Sequence, residues 1–145
     1  MALDILIVDD EEDIRDLVAG VLSDDGYETR TAATADEALK AYDERRPSLI
    51  LLDVWLRGSS MDGLELLKII KGRDANIPVI VFSGHGNIDT AVAAISLGAV
   101  DFIEKPFEAD GDYATANEYV EKVLDRQRKK NRLNFYAVEI GRAHV

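Results

Sequence analysis

Short apolar runs rich in Val, Ile and Leu alternate along the chain with longer stretches in which apolar residues recur at helical spacing. The runs fall at residues 3–8, 27–32, 49–52, 79–82 and 100–103. Three of them are apolar without alternation, as expected of strands covered on both faces, and these belong in the middle of a sheet. Between the first two runs, Ile14, Leu17, Val18, Val21 and Leu22 mark one face of a helix, the clearest in the sequence. A second helix sets Ala35, Ala38, Leu39 and Tyr42 on one stripe and stops before Pro47, which cannot continue it. A third carries Leu66, Leu67 and Ile70. A fourth has a thin stripe of Ile88, Ala91, Val92 and Ile95 and ends at Gly98, the position of a C-cap glycine. A fifth is expected over residues 113–130, where Tyr113, Ala116, Val120, Val123 and Leu124 recur at helical spacing, interrupted by Asn117.

Five β-α units predict an α/β fold, a doubly wound five-stranded parallel sheet, because parallel strands require right-handed crossovers and helices must cover both faces. Ligands of such sheets bind in the crevice at the carboxyl ends of the strands. The residues found there are Asp9 and Asp10 after the first run, Asp53 after the third, Ser83 after the fourth and Lys105 after the fifth, in the contexts ILIVDDEED, LILLDVW, VIVFSGHG and DFIEKPF. Three converging carboxylates are costly alone, since two like charges about 4 Å apart repel by about 4 kcal/mol at an effective dielectric of about 20. A cation is therefore expected among them. Oxygen donors without a thiolate or paired imidazole suit a hard ion, and one that binds through one or two carboxylates plus a phosphate is Mg²⁺. Lys105 adds a point charge suited to phosphate, and Ser83 adds a hydroxyl. Carboxylate, metal, lysine and hydroxyl together equip a site for forming an aspartyl phosphate.

Composition narrows the field. A chain of 145 residues with 47% hydrophobic and 31% charged residues is the size of one ordinary globular domain. Cysteine is absent, which removes disulfides and thiolate chemistry, and only His85 and His144 carry imidazole. No apolar run reaches membrane-spanning length and the N-terminus has no basic region before its acidic cluster, so a cytoplasmic, membrane-free protein is expected. The net charge of −11 is uneven: residues 1–125 hold 11 basic and 27 acidic side chains, net −16, while residues 126–145 hold 6 and 1, net +5. The body should repel nucleic acid, and the basic run at 126–132 reads as a helix end interacting with its dipole. The closing GRAHV reads as an expression remnant or a frayed terminus.

On VDD at 8–10, LLD at 51–53, SGHG at 83–86 and EKPF at 104–107, residues 3–125 resemble the receiver domain of two-component response regulators. The stretch from Val81 to Phe107 and the loop after Asp53 are most similar to the NtrX type among nitrogen-regulation, sigma-54 activator receivers. The resemblance implies a flavodoxin-like (βα)5 receiver fold over residues 1–125, with 126–145 as basic helix end and tail. It implies Asp53 as phosphoacceptor and metal ligand, Asp10 as direct Mg²⁺ ligand, Asp9 as ligand through water, Ser83 as switch hydroxyl and Lys105 as phosphate-binding lysine. Pro106 would follow a cis peptide bond, Phe102 would be the switch aromatic, and Trp55 would supply a metal-ligating backbone carbonyl. The loop over residues 54–62 lacks the family's usual Met-Pro and is longer than the common form. Implied partners are a sensor histidine kinase, output ATPase and DNA-binding modules outside this chain, and a second copy through the fourth helix, fifth strand and fifth helix. The implied output is transcriptional activation of nitrogen-related genes.

Plainer readings stand beside these. Asp9 and Asp10 fit a helix cap, Ser83 a turn, Lys105 a surface residue and Phe102 a core side chain. His85 reads as a loop residue near the site. A small Mg²⁺-dependent phosphatase with an aspartyl nucleophile would carry a second Asp two residues on, where Trp55 stands. Nucleotide binding would need glycines in the DDEED loop, and VFSGHG lacks the first glycine of a serine hydrolase elbow.

Overall fold

The computed structural model describes residues 3–84 and 88–104. Its elements alternate as β1 Asp4–Val8, α1 Glu12–Asp24, β2 Glu28–Ala32, α2 Ala35–Glu44, β3 Leu49–Asp53, α3 Gly63–Arg73, β4 Val79–Ser83, α4 Ile88–Ser96 and β5 Asp101–Glu104. The strands form one parallel sheet in the order β2-β1-β3-β4-β5. The doubly wound α/β sheet expected from the pattern is thus present. Every residue of β1, β3 and β4 is buried, which makes them the three central strands, while β2 lies on an edge and exposes part of its length. The fifth helix expected over residues 113–130 lies outside the described residues.

Period-two alternation divides the core into two layers. Leu6, Val8, Ile50, Leu52, Val79 and Val81 meet Ala35 and Ala38 of α2, Leu66, Leu67 and Ile70 of α3, and Ala94 of α4. Ile5, Ile7, Leu49, Leu51, Ile80 and Phe82 face the other way, onto Val18 and Leu22 of α1.

Three expectations shift. Strands β3 and β4 each run one residue past the apolar run, because Asp53 still pairs with Phe82 and Ser83 with Glu104. A polar residue ends a hydrophobic pattern without ending a backbone ladder. In α1, only Val18 and Leu22 of the expected face are buried, and Leu17 is exposed. In α4, the expected inward stripe is turned outward: Ile88, Val92 and Ile95 are 82%, 58% and 49% exposed, and Ala94 is the buried residue. The helix is apolar around most of its circumference, so period alone does not choose a face, and a small alanine permits the closer approach to the sheet. Gly98 does terminate α4 as expected. At φ 105° it sits in the left-handed region, its N–H bonded to Ile95 O and that of Ala99 to Ala94 O.

Candidate functional site

Parallel strands bring their carboxyl ends to one edge, and β1 and β3 are neighbours there. Asp9 follows β1 and is fully buried; Asp53 ends β3 and is 3% exposed. Asp10 is half-buried beside them. One carboxylate oxygen from each of the three lies within 4.8 Å of the others. Three carboxylates this close repel by a few kcal/mol per pair at an effective dielectric of about 20. Their donor set is oxygen alone, which fits a hard divalent cation and not zinc or copper.

The Asp9 and Asp10 carboxylates are each held by a backbone N–H. Asp9 Oδ1 accepts the N–H of Glu11 at 2.9 Å, and its carbonyl oxygen accepts from Arg15 Nη1 of α1 at 2.7 Å. Glu11 is the N-cap position and makes no side-chain cap, so Asp9 shapes the turn into α1 by accepting the N–H of the N-cap residue itself. Asp10 Oδ2 accepts the N–H of Arg57 at 3.2 Å, which ties the carboxylate to the loop after β3.

Gly63 is a part of this edge that sequence reasoning passed over. It opens α3 behind the N-cap Asp62, whose side chain accepts the Glu65 N–H at 2.9 Å, and it donates its own N–H to Val54 O at 2.8 Å. A Cβ on Gly63 would stand 2.0 Å from the carbonyl oxygen of Asp53. No side chain fits between α3 and the backbone of Asp53. The Asp-Gly pair opening the stretch DGLELL was the signal for it.

Ser83 is fully buried at the end of β4, next to β3. Phe102 in β5 is half-buried against the layer of Leu6 and Val81, as a core side chain would be. Trp55 is 53% exposed and, with Leu56, Arg57 and Asp62, lines a shallow cavity of about 410 Å³ beside the site. Lys105, Pro106 and His85 lie outside the described residues.

A doubly wound sheet in this strand order, with clustered carboxylates at its carboxyl edge, is consistent with a phospho-acceptor site. The model of the response regulator receiver domain family matches residues 5–117, and the chain belongs to that family. It is 66% identical over 110 residues to the nitrogen assimilation regulatory protein NtrX of Azorhizobium caulinodans, an alignment covering 76% of this chain and 24% of that protein. The crystal structure of the receiver domain of NtrX from Brucella abortus superposes with a TM-score of 0.71 at 60% identity, covering 81% of this chain and 98% of that one. The DNA-binding transcriptional regulator NtrC of Klebsiella pneumoniae is 35% identical over 125 residues, 86% of this chain and 26% of that protein. The chain thus spans about a quarter of the length of these curated relatives. It is a receiver domain of the NtrX and NtrC type of signalling response regulators, and among its described residues no helix is long and apolar enough to cross a membrane.

Proposed function

We propose that the chain is a phosphorylation switch in which Asp53 accepts a phosphoryl group from the phosphohistidine of a sensor histidine kinase. The observation that carries this reading is the burial of Asp53 at the end of a central strand, with a carboxylate oxygen within 4.8 Å of those of Asp9 and Asp10. An oxygen of Asp53 attacks phosphorus, the new O–P bond forms as the N–P bond breaks, and the departing imidazole takes up a proton. Asp10 and Asp53 would hold Mg²⁺ directly and Asp9 through water, with the backbone carbonyl of Trp55 as a further ligand. Held there, such an ion would supply positive charge to the phosphoryl oxygens. Lys105 contacts a phosphoryl oxygen as a point charge, and Ser83 donates its hydroxyl to another. The phosphatase alternative lacks its second aspartate, since an exposed Trp55 occupies that position.

The receiver unit occupies residues 1–125, with the basic segment 126–145 beyond it. Movement of Ser83 on phosphorylation opens room for Phe102 to repack and biases α4 and β5, the region through which two copies associate. The apolar side chains of Ile88, Val92 and Ile95 on the outer face of α4 suit that association. In the relatives' longer architecture, ATPase and DNA-binding modules carry the output, cytoplasmic transcriptional activation of nitrogen-related genes. The net charge of −16 over residues 1–125 fits a receiver that does not itself bind nucleic acid.

Intact mass after incubation with a small phosphodonor and Mg²⁺ tests the assignment. One added phosphoryl group is expected on the wild type and none on Asp53→Asn. Undiminished labelling of that variant would move the nucleophile elsewhere.

A further inference from the structure

The loop over residues 54–62 is fastened at both ends and again between them. Val54 O receives the N–H of Gly63 at one end, and Asp62 caps α3 at the other. Between them the chain turns through Gly58, at φ 73°, and the N–H of Ser59 returns to Leu56 O at 3.3 Å. The shortest of the fastenings between them is made by the Ser59 hydroxyl. Its Oγ accepts the N–H of Ala35, the first residue of α2, at 2.9 Å.

That N–H is one of the four donors a helix leaves without an intrahelical acceptor, and Ala35 itself is fully buried, so water cannot readily replace the serine. The other local cap is already committed, because Thr34 Oγ1 accepts from Glu37 N at 3.2 Å. Ser59 therefore holds the loop against a rigid element on the far side from β4. The same loop presents the Arg57 N–H to Asp10 Oδ2. A hydroxyl on α2's N-terminus and a backbone N–H on the acidic cluster are thus two contacts of one short, turned segment.

We propose that Ser59 is a positioning residue for the metal site: by anchoring the loop to α2 it keeps the segment from Trp55 to Arg57 against Asp10, and so sets the affinity for Mg²⁺. The proposal rests on the metal reading given above. Outer supports of this kind typically change metal affinity by about 10-fold to 100-fold, and a backbone held by one hydroxyl belongs at the lower limit.

The experiment is a MgCl₂ titration of the purified chain, read from the fluorescence of its one tryptophan, Trp55, and by calorimetry. Ser59→Ala should bind about tenfold more weakly, and Ser59→Thr, which keeps the hydroxyl, should bind like wild type. Phosphodonor labelling of Ser59→Ala should slow at limiting Mg²⁺ and recover at saturating Mg²⁺, and exchange of the Ala35 amide should accelerate. Ser60→Ala is the control, since among the described residues that exposed hydroxyl reaches α2 only through a long contact to Asp36 Oδ1, at 3.4 Å, and should cost far less affinity. A lowered metal-free melting temperature with wild-type affinity would show a merely structural role and overturn the proposal. So would an equal loss in Ser60→Ala. A wild type that binds no Mg²⁺ would defeat the metal reading itself, whereas normal binding by wild type and Ser59→Ala alike would defeat the positioning role alone.

Discussion

Asp4 opens β1 and Asp9 follows its last residue; both are buried, yet they sit in opposite electrostatic company. At the amino end, Asp4 Oδ2 meets Arg30 Nη2 at 2.6 Å and Arg45 Nε at 3.3 Å. The same Arg30 also donates to the carbonyl oxygens of Ala41 and Arg45, so one guanidinium joins β1, β2 and the end of α2. At the carboxyl end, Asp9 and Asp10 meet another carboxylate, that of Asp53. A buried charge fixed by a matching side chain serves the fold. Like charges gathered at a strand edge cost stability, and an arrangement kept at that cost marks a site where a ligand supplies the compensation. The contrast sets an aspartate paired with arginine at one end of β1 against aspartates clustered together at the other.

The largest effect is expected where the carboxyl edge has no spare room. Gly63→Ala would force a methyl group toward the Asp53 carbonyl oxygen, whose distance from the built Cβ is 2.0 Å. Backbone is the obstacle on both sides, so α3 or β3 must shift, costing about 3 kcal/mol or more. Chemical denaturation measures that loss, and phosphodonor labelling of the folded fraction should fall with it. Normal labelling and stability would mean that this edge yields more easily than its geometry implies.

The contrast between the two ends of β1 can be broken directly. Asp4→Ala removes a buried carboxylate from Arg30 and should cost about 2 kcal/mol, less than a fully buried pair because Arg30 remains partly solvated and keeps its carbonyl partners. Labelling of the folded protein should be untouched. Asp10→Ala should instead leave metal-free stability level or slightly raised, since it relieves repulsion, but remove the rise in melting temperature that Mg²⁺ is expected to give the wild type. If both variants lose the same stability and respond equally to Mg²⁺, the two ends do not differ in kind.

Much of this was readable beforehand because it depends on alternation and on where apolar runs stop. Val8, Leu52 and Phe82 end buried runs, and the residues beyond them come to one edge by topology alone. What escaped reading depends on backbone approach and on the direction of a helix face. Gly63 looks like any first-turn residue until the Asp53 carbonyl is placed beside it. Ser59 offers a hydroxyl whose acceptor role needs the N-terminus of α2 for its partner. In α4 the large side chains point to solvent and Ala94 packs inward, because a helix apolar on most sides leaves the choice to tertiary fit. The Asp4 network is a subtler case, since Asp4 lies inside an apolar run, where a lone charge predicts a nearby cation without saying that Arg30, on the neighbouring strand, will supply it.

A third aspartate tests whether the amino-edge pattern is general, and it carries the smallest effect. Asp74 lies just past α3, where the chain turns back toward the start of β4, and it bonds Arg46 Nε and the Tyr42 hydroxyl, the latter at 3.0 Å. The hydrogen bond from Arg46 is the main cause that holds its carboxyl below the ordinary value; burial opposes the shift, and the Tyr42 hydroxyl assists it. A carboxyl whose folded value is depressed contributes stability above its unfolded value, about 4, and loses it as pH falls through the lower folded value. Arg46→Ala removes the main cause, so its folded and unfolded values should draw together. Wild type should therefore exceed the variant in stability near neutral pH, and the two should converge in strong acid. Because Arg46 is half exposed, the difference at neutral pH should be small. Denaturation curves at a series of pH values measure it. A gap that stays constant down to strong acid would show that Arg46 acts there by packing and not by charge, and the pairing seen at Asp4 would then be particular to β1.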